Sequence, residues 1–362
     1  MVPISALPRA GATARPLASR VSIEGGAFRI NGTPTYAGRS WRGHRVEGLL
    51  FNSRMANAIA DDENPATRGA WSYADGPWDA ERSTRDFIAA LPSYRAHGLL
   101  AVCLNLSGGS PQGYSWNQPW KICGFNPDGT IKPAWATRLG NVIQACDRLG
   151  MVVILGLFYG KQSGTFVDES AVRAAVANTV DWLVQKAAGN VLLEIGNEVD
   201  LPNVWAHSII AAARCHELIE LAQKRSQGKL PVSTSLITLG APPAAIAATA
   251  DFLLPHGNGV HGPDGHFQPS PHGIRLQVAR WRASPAYRGQ PIVYNEDDHF
   301  EFDKPDNHFV AAVEVGASWG YFDYRMNRER FEDGFQSLPV DWTISSKRKR
   351  AFFGLLKEIT GA

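Results

Sequence analysis

The chain has 362 residues, of which 44% are hydrophobic and 19% charged, and its formal net charge is +2. This length suits one large α/β barrel with extended loops, or two ordinary domains. The near-neutral charge balance argues against nucleic acid as the main partner, because such proteins present a basic surface. The sequence contains no run of 18 or more apolar residues, so no membrane-spanning helix is predicted.

Residues 1–20 are rich in Ala, Pro and Arg and lack the continuous apolar core of a signal peptide. We predict that they form a flexible arm ahead of a single catalytic domain that spans residues 21–362. A cytoplasmic location is the default expectation, while a periplasmic or secreted location stays open if a signal has been trimmed. The sequence does not indicate the oligomeric state.

The cysteines are too widely spaced for a zinc motif of the CxxC type. Four small side chains in a chain of this length are expected to be buried and unpaired. No cofactor is predicted. These residues are Cys103, Cys123, Cys146 and Cys215.

Residues 21–35 alternate between apolar and polar side chains around Gly25-Gly26 and Asn31-Gly32. Asn-Gly is a strong signal for a hairpin turn. This stretch therefore predicts a small hairpin, which we expect to cap the bottom of a barrel.

Strand-like apolar runs and helix-like stretches then alternate to the end of the chain, which predicts a parallel sheet. Eight such units predict a (β/α)8 TIM barrel, with long loops on its catalytic face. Two doubly wound domains would also alternate, but no glycine-rich phosphate motif follows any strand. The predicted strands are 34–41, 99–106, 151–158, 191–197, 231–237, 251–256, 291–295 and 317–324. The predicted helices are 78–97, 133–149, 168–186, 203–227, 242–250, 271–286, 307–316 and 345–359.

Two of the predicted strands end in Asn-Glu. The fourth ends at Asn197-Glu198 and the seventh at Asn295-Glu296. In a (β/α)8 barrel the carboxyl ends of the strands carry the active site. Two carboxylates on separate strands are the minimum equipment for cleaving a glycosidic bond. The alternative for each glutamate is an exposed strand end or a structural salt bridge.

The two runs Leu193-Glu194-Ile195-Gly196-Asn197-Glu198 and Ile292-Val293-Tyr294-Asn295-Glu296 resemble motifs of clan A of the glycoside hydrolases. Enzymes of this clan are retaining hydrolases on (β/α)8 barrels. Their acid/base is a Glu after an Asn on strand four, and their nucleophile is a Glu on strand seven. The resemblance implies that Glu198 is the acid/base, that Glu296 is the nucleophile and that the partner is a carbohydrate substrate. It does not assign a family within the clan.

The same resemblance implies three substrate-binding residues. Asn197 corresponds to the asparagine that bonds the sugar 2-hydroxyl in the clan. Arg39 ends the predicted first strand and resembles the arginine that keeps the nucleophile ionised. Trp319 lies on the predicted eighth strand, where the clan often has a tryptophan that stacks on sugar. A structural ion pair for Arg39 and barrel packing for Trp319 are the alternatives.

Four further residues are substrate-binding candidates from the sequence itself. Asn105 is polar within an apolar strand, so it contacts substrate or is a hydrogen-bonded core group. His256 ends the predicted sixth strand. Tyr294 lies two residues before Glu296, and strand alternation leaves its direction open. Trp116 belongs to the aromatic residues of the long loop after the second strand, and aromatic faces suit sugars.

Two other functions stay open. A metal-dependent barrel hydrolase could use the histidines near residues 256–272 with Asp264 and the run Asp297-Asp298-His299. Because this segment is rich in Gly and Pro and loosely spaced, we favour a surface loop there and predict no metal site. The second alternative is a carbohydrate-binding barrel without catalytic activity. The histidines of the first alternative are His256, His261, His266 and His272.

Overall fold

The computed structural model describes residues 17–108, 119–238, 240–258, 270–323, 333–336 and 338–362. Its first elements form a small antiparallel sheet of β1 (Val21–Glu24), β2 (Ala27–Ile30) and β3 (Thr33–Pro34). Gly25 and Gly26 connect β1 to β2 with φ angles of 57° and 75°, a conformation that glycine adopts without strain. The predicted N-terminal hairpin is therefore confirmed.

Residues 34–41, the predicted first barrel strand, do not enter the barrel. They contribute to β3 and to β4 (Ser40–Trp41), which pairs antiparallel with β5 (His44–Arg45). The first barrel strand lies further along, at β6 (Asn52–Arg54). This strand consists of polar residues, whose side chains form hydrogen bonds with neighbouring strands. Asn52 Nδ2, for example, donates to the Tyr294 carbonyl at 2.9 Å.

The barrel strands after β6 fall where the apolar runs predict them. They are β7 (Ala101–Asn105), β8 (Val152–Phe158), β9 (Val191–Gly196), β10 (Val232–Ser233), β11 (Ser235–Leu236), β12 (Leu254–Pro255) and β13 (Gly320–Tyr321). Six of the strands form one parallel sheet of order β10-β9-β8-β7-β6-β13, whose edges are β10 and β13. Several strands are only two residues long, because few residues in each contribute regular ladder hydrogen bonds.

Four pairings close the ring. Ser235 of β11 pairs in parallel with Leu254 of β12. Single parallel bridges then join Leu253 to Ile292 and Val293 to Ser318. Because β13 also pairs in parallel with β6, the eight segments return to their start. The predicted (β/α)8 barrel is confirmed, with the seventh strand reduced to these bridging residues.

Helices follow the barrel strands along the chain. The predicted helix 203–227 is wrong in its first half, since only residues from Cys215 onward are helical. Asn203 has a φ of 59°, which no helix interior accepts, and Asp200 ties the preceding loop to the backbone N–H groups of Ile237 and Thr238. The α-helices are α1 (Pro65–Arg68), α2 (Ala80–Ala96), α3 (Pro133–Arg148), α4 (Glu169–Gln185), α5 (Cys215–Ser226), α6 (Ala244–Thr249), α7 (Pro271–Arg282), α8 (His308–Glu314) and α9 (Lys347–Thr360).

The barrel interior is closed at its amino end by the N-terminal hairpin. Phe28 is fully buried in a cluster with inward-facing strand residues, among them Val152 and Leu192, and it contacts Phe252 edge to face at 6.2 Å. Val21 N donates to the Gly189 carbonyl, just ahead of β9. This apolar plug leaves the opposite, carboxyl end of the barrel as the open one, as the sequence predicts.

The larger apolar cluster lies between the barrel and its helices. All four cysteines are buried and unpaired, which confirms the prediction. Residues 1–16 of the predicted N-terminal arm lie outside the described residues, while within its described part, residues 17–20, Ser19 N donates to Asp147 Oδ1 at 2.6 Å. Within the described ranges, no helix has both the length and the apolar character needed to span a membrane.

Candidate active site

Polar side chains converge at the carboxyl end of the barrel, although they are far apart in the sequence. Arg54 ends β6 and Asn105 ends β7, while Glu198 follows β9 by two residues. His256 follows β12 directly, and Glu296 follows the bridging residues of the seventh strand. Apart from Arg54, these are residues that the sequence selects as candidates.

Arg54 lies at the centre of this group and is completely buried. Its Nε lies 2.8 Å from Glu296 Oε2, and its second terminal nitrogen donates to Asn197 Oδ1 at 2.5 Å. The first terminal nitrogen lies 3.6 Å from Glu194 Oε2. With its amide oxygen turned to the guanidinium, Asn105 accepts from Arg54 at 3.2 Å. One planar cation thus holds two carboxylates and two amides, which suits the fixed fork of an arginine.

Glu194 is a third carboxylate of the site, and sequence reasoning missed it. It is 1% exposed and accepts from Asn295 Nδ2 at 3.1 Å. The sequence nevertheless indicates it. Glu194 is a charged residue inside an apolar strand, and because it lies an even number of positions before Glu198, both side chains face the barrel interior. Gly156 on β8 makes the space, since a Cβ there would lie 2.7 Å from the side-chain amide of Asn105 and 3.3 Å from Glu194 Oε2.

Glu198 sits in an unusual backbone conformation at the tip of β9. Its φ of 55° is left-handed, which costs an L-residue of this kind about 1–3 kcal/mol. The neighbouring strand holds this conformation, because Ser235 Oγ accepts from Glu198 N at 2.9 Å and Thr234 Oγ1 donates to the Gly196 carbonyl at 2.8 Å. The strained tip turns the carboxylate into the mouth of the barrel.

His256 lies between the two glutamates that end strands four and seven. Its Nδ1 is 2.8 Å from Glu198 Oε1 and 3.7 Å from Glu296 Oε2. Burial opposes a charged imidazolium, but the carboxylates of Glu296 and Glu198 outweigh it and raise the pKa of His256 above its usual value. The imidazole and the Glu198 carboxylate therefore share one short contact at the barrel mouth.

The two glutamates are held to different degrees. Both oxygens of Glu296 have a partner: Oε2 forms an ion pair with Arg54 Nε at 2.8 Å, and Oε1 accepts a hydrogen bond from Asn258 Nδ2 at 2.8 Å. Its main-chain carbonyl also accepts from Gly257 N at 2.8 Å. The side chain of Glu296 is 8% exposed, against 13% for Glu198. Glu296 is thus a fixed carboxylate, and Glu198 is the more accessible one.

Arg39 is not part of this site, which corrects the prediction from the sequence. Its Nε donates to the Ile359 carbonyl at 2.8 Å and a terminal nitrogen donates to the Glu358 carbonyl at 2.7 Å. It therefore caps the last turn of α9, where a cation satisfies free carbonyl groups. The arginine beside Glu296 is Arg54, and the error follows from the misplaced first strand.

Tyr294 and Trp319 face away from the barrel mouth, so the prediction that they contact substrate is wrong. The Tyr294 hydroxyl donates to Gln277 Oε1 of α7 at 2.7 Å. Trp319 is completely buried and stacks on Phe309 of α8 at 4.9 Å. Both residues are therefore packing groups between barrel and helices. Asn295, which alternates with Tyr294, faces the interior instead.

Other predicted features of the loops have mixed outcomes. Trp116 lies outside the described residues, so its role stays a prediction, and the same holds for His261, His266 and Asp264. Two tryptophans of the loop after β6 serve to fix that loop. The Trp71 indole donates to Asp62 Oδ2 at 2.6 Å and the Trp78 indole to Asp61 Oδ1 at 2.9 Å.

Asp297 follows Glu296 and anchors a second polar cluster behind it. The carboxylate is completely buried and accepts from His299 Nδ1 at 2.6 Å, from His308 Nδ1 at 2.8 Å and from Trp319 Nε1 at 3.0 Å. Burial alone would raise the pKa of Asp297, but the two imidazoles outweigh it and hold that pKa well below the usual range. Asp297 is therefore a buried anion that fixes the backbone next to Glu296.

Among the residues that the structure describes, two groups of three side chains have ligand atoms within 4.8 Å of one another. Carboxylate and imidazole ligands are those that zinc and related ions accept. In the group of Asp297, His299 and His308, the two imidazole rings are stacked, with centroids 3.8 Å apart. An ion between stacked rings would lie outside the ring planes, where nitrogen has no lone pair, so this group is a poor metal site. The other group is Glu198, His256 and Glu296, where Arg54 already supplies positive charge.

The cluster around Asp297 predicts a pH dependence of stability. Burial lowers the pKa of His299, but the hydrogen bond with Asp297 and the nearby acidic charges outweigh this and raise it. A raised value in the folded state gives a stabilisation that is complete below about pH 6.5 and is lost as pH rises through the folded pKa. We expect His299→Gln to destabilise the protein more at pH 5.5 than at pH 8.5.

Urea unfolding of the unchanged chain and of His299→Gln at both pH values measures this difference. His272→Gln, at an exposed position of α7, controls for the loss of one imidazole. An equal destabilisation by His299→Gln at the two pH values would contradict the prediction.

Comparison with known proteins supports the fold of this chain. No protein-family model matches the sequence, and no curated protein matches it. Among solved structures, the chain resembles a broad-specificity endoglucanase of glycoside hydrolase family 5 from Bacteroides salanitronis, with a TM-score of 0.56 and 12% identity over 86% of this chain and 93% of the other. A β-mannanase from the blue mussel Mytilus edulis gives a TM-score of 0.52 and 13% identity over 94% and 96%.

An exo-β-1,4-mannosidase from an Opitutaceae bacterium gives a TM-score of 0.56 and 16% identity over 94% of this chain. This chain spans 62% of that protein's length. Identities this low establish a shared fold and no more. The shared fold agrees with the barrel closure described above. The similarity to these structures therefore covers the architecture of most of the chain, and not only the two short motifs.

Proposed function

We propose that this protein is a retaining glycoside hydrolase. The observation that carries the proposal is the pairing of Glu198 and Glu296, each with a carboxylate oxygen near His256 Nδ1 and the two oxygens within 4.8 Å of each other. Retaining glycosidases keep their two carboxyl groups about 5–5.5 Å apart, whereas inverting enzymes separate them by about 6.5–9.5 Å to admit a water. The short separation supports direct attack by one carboxylate.

The different surroundings of the two residues suggest their roles. Glu296 has a partner on each carboxylate oxygen, with a guanidinium at 2.8 Å, so it is held in one orientation as a nucleophile must be. Glu198 is more exposed and is held by one contact with His256, which suits the residue that meets the leaving group and the incoming water. In this mechanism Glu296 attacks the anomeric carbon while Glu198 protonates the leaving oxygen. Glu198 then deprotonates the water that releases the sugar from Glu296.

The substrates named for the similar structures indicate where to begin. Those proteins are an endoglucanase, a β-mannanase and an exo-β-1,4-mannosidase. We therefore propose a β-linked glucoside or mannoside, as an oligosaccharide or a small glycoside, as the substrate of this chain. Asn105 and Asn197 are the amides at the barrel mouth that we expect to contact it.

The proposal is tested with aryl β-glucosides, aryl β-mannosides and β-1,4-linked oligosaccharides, with the product anomer followed by NMR. Initial formation of the anomer of the substrate supports retention, and the opposite anomer would refute it. Activity lost in chelator and restored by a divalent ion would favour a metal-dependent hydrolase instead. Tight binding across the panel without any hydrolysis would favour a carbohydrate-binding barrel.

Replacement of Glu198 tests the acid/base role separately. We expect Glu198→Ala to lower kcat/KM by about 10³-fold for glycosides with poor leaving groups, because general acid catalysis contributes about 10²–10⁴-fold. An activated aryl glycoside, such as a dinitrophenyl glycoside, needs no protonation and should lose far less. Equal losses for alkyl and dinitrophenyl glycosides would contradict the acid role of Glu198.

A further inference from the structure

Asn258 is a polar residue at the mouth of the barrel to which the proposed mechanism assigns no contact with substrate. It follows His256 by two residues and donates from Nδ2 to Glu296 Oε1 at 2.8 Å. Arg54 holds the other oxygen of Glu296, so the two oxygens of the proposed nucleophile have different partners. Asn258 therefore lies on the side of the carboxylate that the guanidinium leaves open.

The orientation of the Asn258 amide follows from chemistry. An ionised carboxylate only accepts hydrogen bonds, so the NH2 end of the amide must face Glu296. The oxygen end, Oδ1, is then turned away from the carboxylate. This atom is buried and has no hydrogen-bond partner among the described residues. A buried carbonyl oxygen without a donor is rare in folded proteins and calls for a partner that the protein itself does not supply.

The backbone around Asn258 allows little movement. Gly257 N donates to the Glu296 carbonyl at 2.8 Å, which fixes the two strand ends to each other. Gly257 also packs against Asp297, because a Cβ on Gly257 would lie 2.1 Å from Asp297 Oδ2. The anchored Asp297 thus determines where the main chain before Asn258 runs, and Asn258 Oδ1 has a defined place beside Glu296.

We infer that Asn258 Oδ1 accepts a hydrogen bond from one hydroxyl of the sugar whose anomeric carbon Glu296 attacks. Asn258 then positions the nucleophile with its amide nitrogen and selects the sugar with its amide oxygen. This inference rests on the proposed function, because it needs a sugar bound against Glu296. A site built to bond a hydroxyl discriminates against the sugar that lacks it, since the site's polar atom then stays unpaired.

Deoxy substrates test this selection. We expect the unchanged chain to cleave the parent aryl glycoside about tenfold faster, in kcat/KM, than the analogue that lacks the contacted hydroxyl. In Asn258→Ala, the ratio of kcat/KM for the parent glycoside to kcat/KM for this analogue should fall to nearly one. The preferences at the other hydroxyl positions should persist. The panel consists of the 2-deoxy, 3-deoxy, 4-deoxy and 6-deoxy forms of the same aryl glycoside, assayed with both proteins.

Asn178→Ala is the matched control. Asn178 is a half-buried asparagine of α4 that also makes one amide hydrogen bond, to the Gly129 carbonyl at 3.0 Å. Its replacement should leave every deoxy preference unchanged. Circular dichroism melting of both variants establishes that they fold.

A second variant separates the two roles of the Asn258 amide. Asn258→Asp keeps an acceptor for the sugar hydroxyl but places a like charge against Glu296. We expect it to retain the deoxy preference and to shift the acidic limb of kcat/KM to higher pH. A variant that merely loosened the loop would not move that limb.

Three results would overturn the inference. If native kcat/KM is the same for every deoxy analogue, or if Asn258→Ala lowers all substrates by one common factor, Asn258 does not read a hydroxyl, while the proposed glycosidase function still stands. If the native chain cleaves no glycoside at all, the proposed function fails, and this inference fails with it.

Discussion

Glu296→Gln is expected to lower kcat by about 10⁵-fold, the order of loss seen when a catalytic nucleophile is removed. An amide cannot form the glycosyl-enzyme bond, yet it fills the same volume. Its oxygen can still accept from the Arg54 Nε that now lies 2.8 Å from Glu296 Oε2. We therefore expect the variant to fold and to bind substrate, with the loss confined to the chemical step.

The measurement is single-turnover kinetics on an activated aryl glycoside, with the melting temperature recorded for the same preparation. Glu220→Gln is the control, because Glu220 is exposed on α5, away from the barrel mouth. In Glu296→Ala, added azide should enter the vacated space and restore turnover, giving a glycosyl azide of inverted configuration. Native activity in Glu296→Gln would refute the assignment of Glu296 as the nucleophile.

The order of strands and helices could be predicted from the sequence because its signals are local. Apolar runs such as Val191–Gly196 and Val152–Phe158 form buried parallel strands where their pattern places them. Asn-Glu endings identify Glu198 and Glu296 for the same reason, since a residue that follows a barrel strand has to lie at the mouth. These predictions use no contact between distant parts of the chain.

The first barrel strand could not be predicted in this way. Asn52–Arg54 is polar throughout, and its side chains bond to groups far along the chain, such as the Tyr294 carbonyl, which is 242 residues from Asn52. Residues 34–41 have more strand-like character but pair within the N-terminal region. Strand propensity therefore favours the wrong segment as the first barrel strand. For this reason the sequence predicts Arg39, and not Arg54, as the arginine beside Glu296.

Whether a side chain at a strand end faces the barrel interior or the surrounding helices was equally hard to predict. Trp319 and Tyr294 each have a polar group that could serve a substrate, but in the fold these groups bond to Asp297 and Gln277. Strand alternation determines the facing only once the register is known. The register of the seventh strand depends on two bridging contacts, at Ile292 and Val293, which no local pattern specifies.

The balance of charges at the barrel mouth makes Arg54 more important for stability than any one of its contacts suggests. Three carboxylates, of Glu194, Glu198 and Glu296, lie near one guanidinium and one imidazole. Glu194 is 1% exposed and Arg54 is completely buried, so neither charge can be screened by water. The removal of the cation would leave buried carboxylates without compensation, and such charges cost far more than the pair itself contributes.

Arg54→Met is accordingly expected to lower the free energy of unfolding by about 3–5 kcal/mol, the usual cost of breaking a buried ion pair on one side. Arg54→Lys should fold better, because it keeps the charge, but it loses the planar fork that reaches Glu296, Glu194 and Asn197 together. We expect its kcat/KM to fall by about 10²–10³-fold, the effect of a misplaced catalytic group. Urea unfolding and aryl glycoside kinetics measure the two effects.

The matched control for both variants is the arginine that the sequence alone selects. Arg39 contacts the carbonyls that end α9, on the opposite end of the molecule from the barrel mouth. Arg39→Lys should therefore leave kcat/KM within about twofold of the native value, because surface changes away from a site usually cost little. If Arg39→Lys lost activity and Arg54→Lys retained it, the barrel register described here would be wrong, since that register alone brings Arg54 to Glu296.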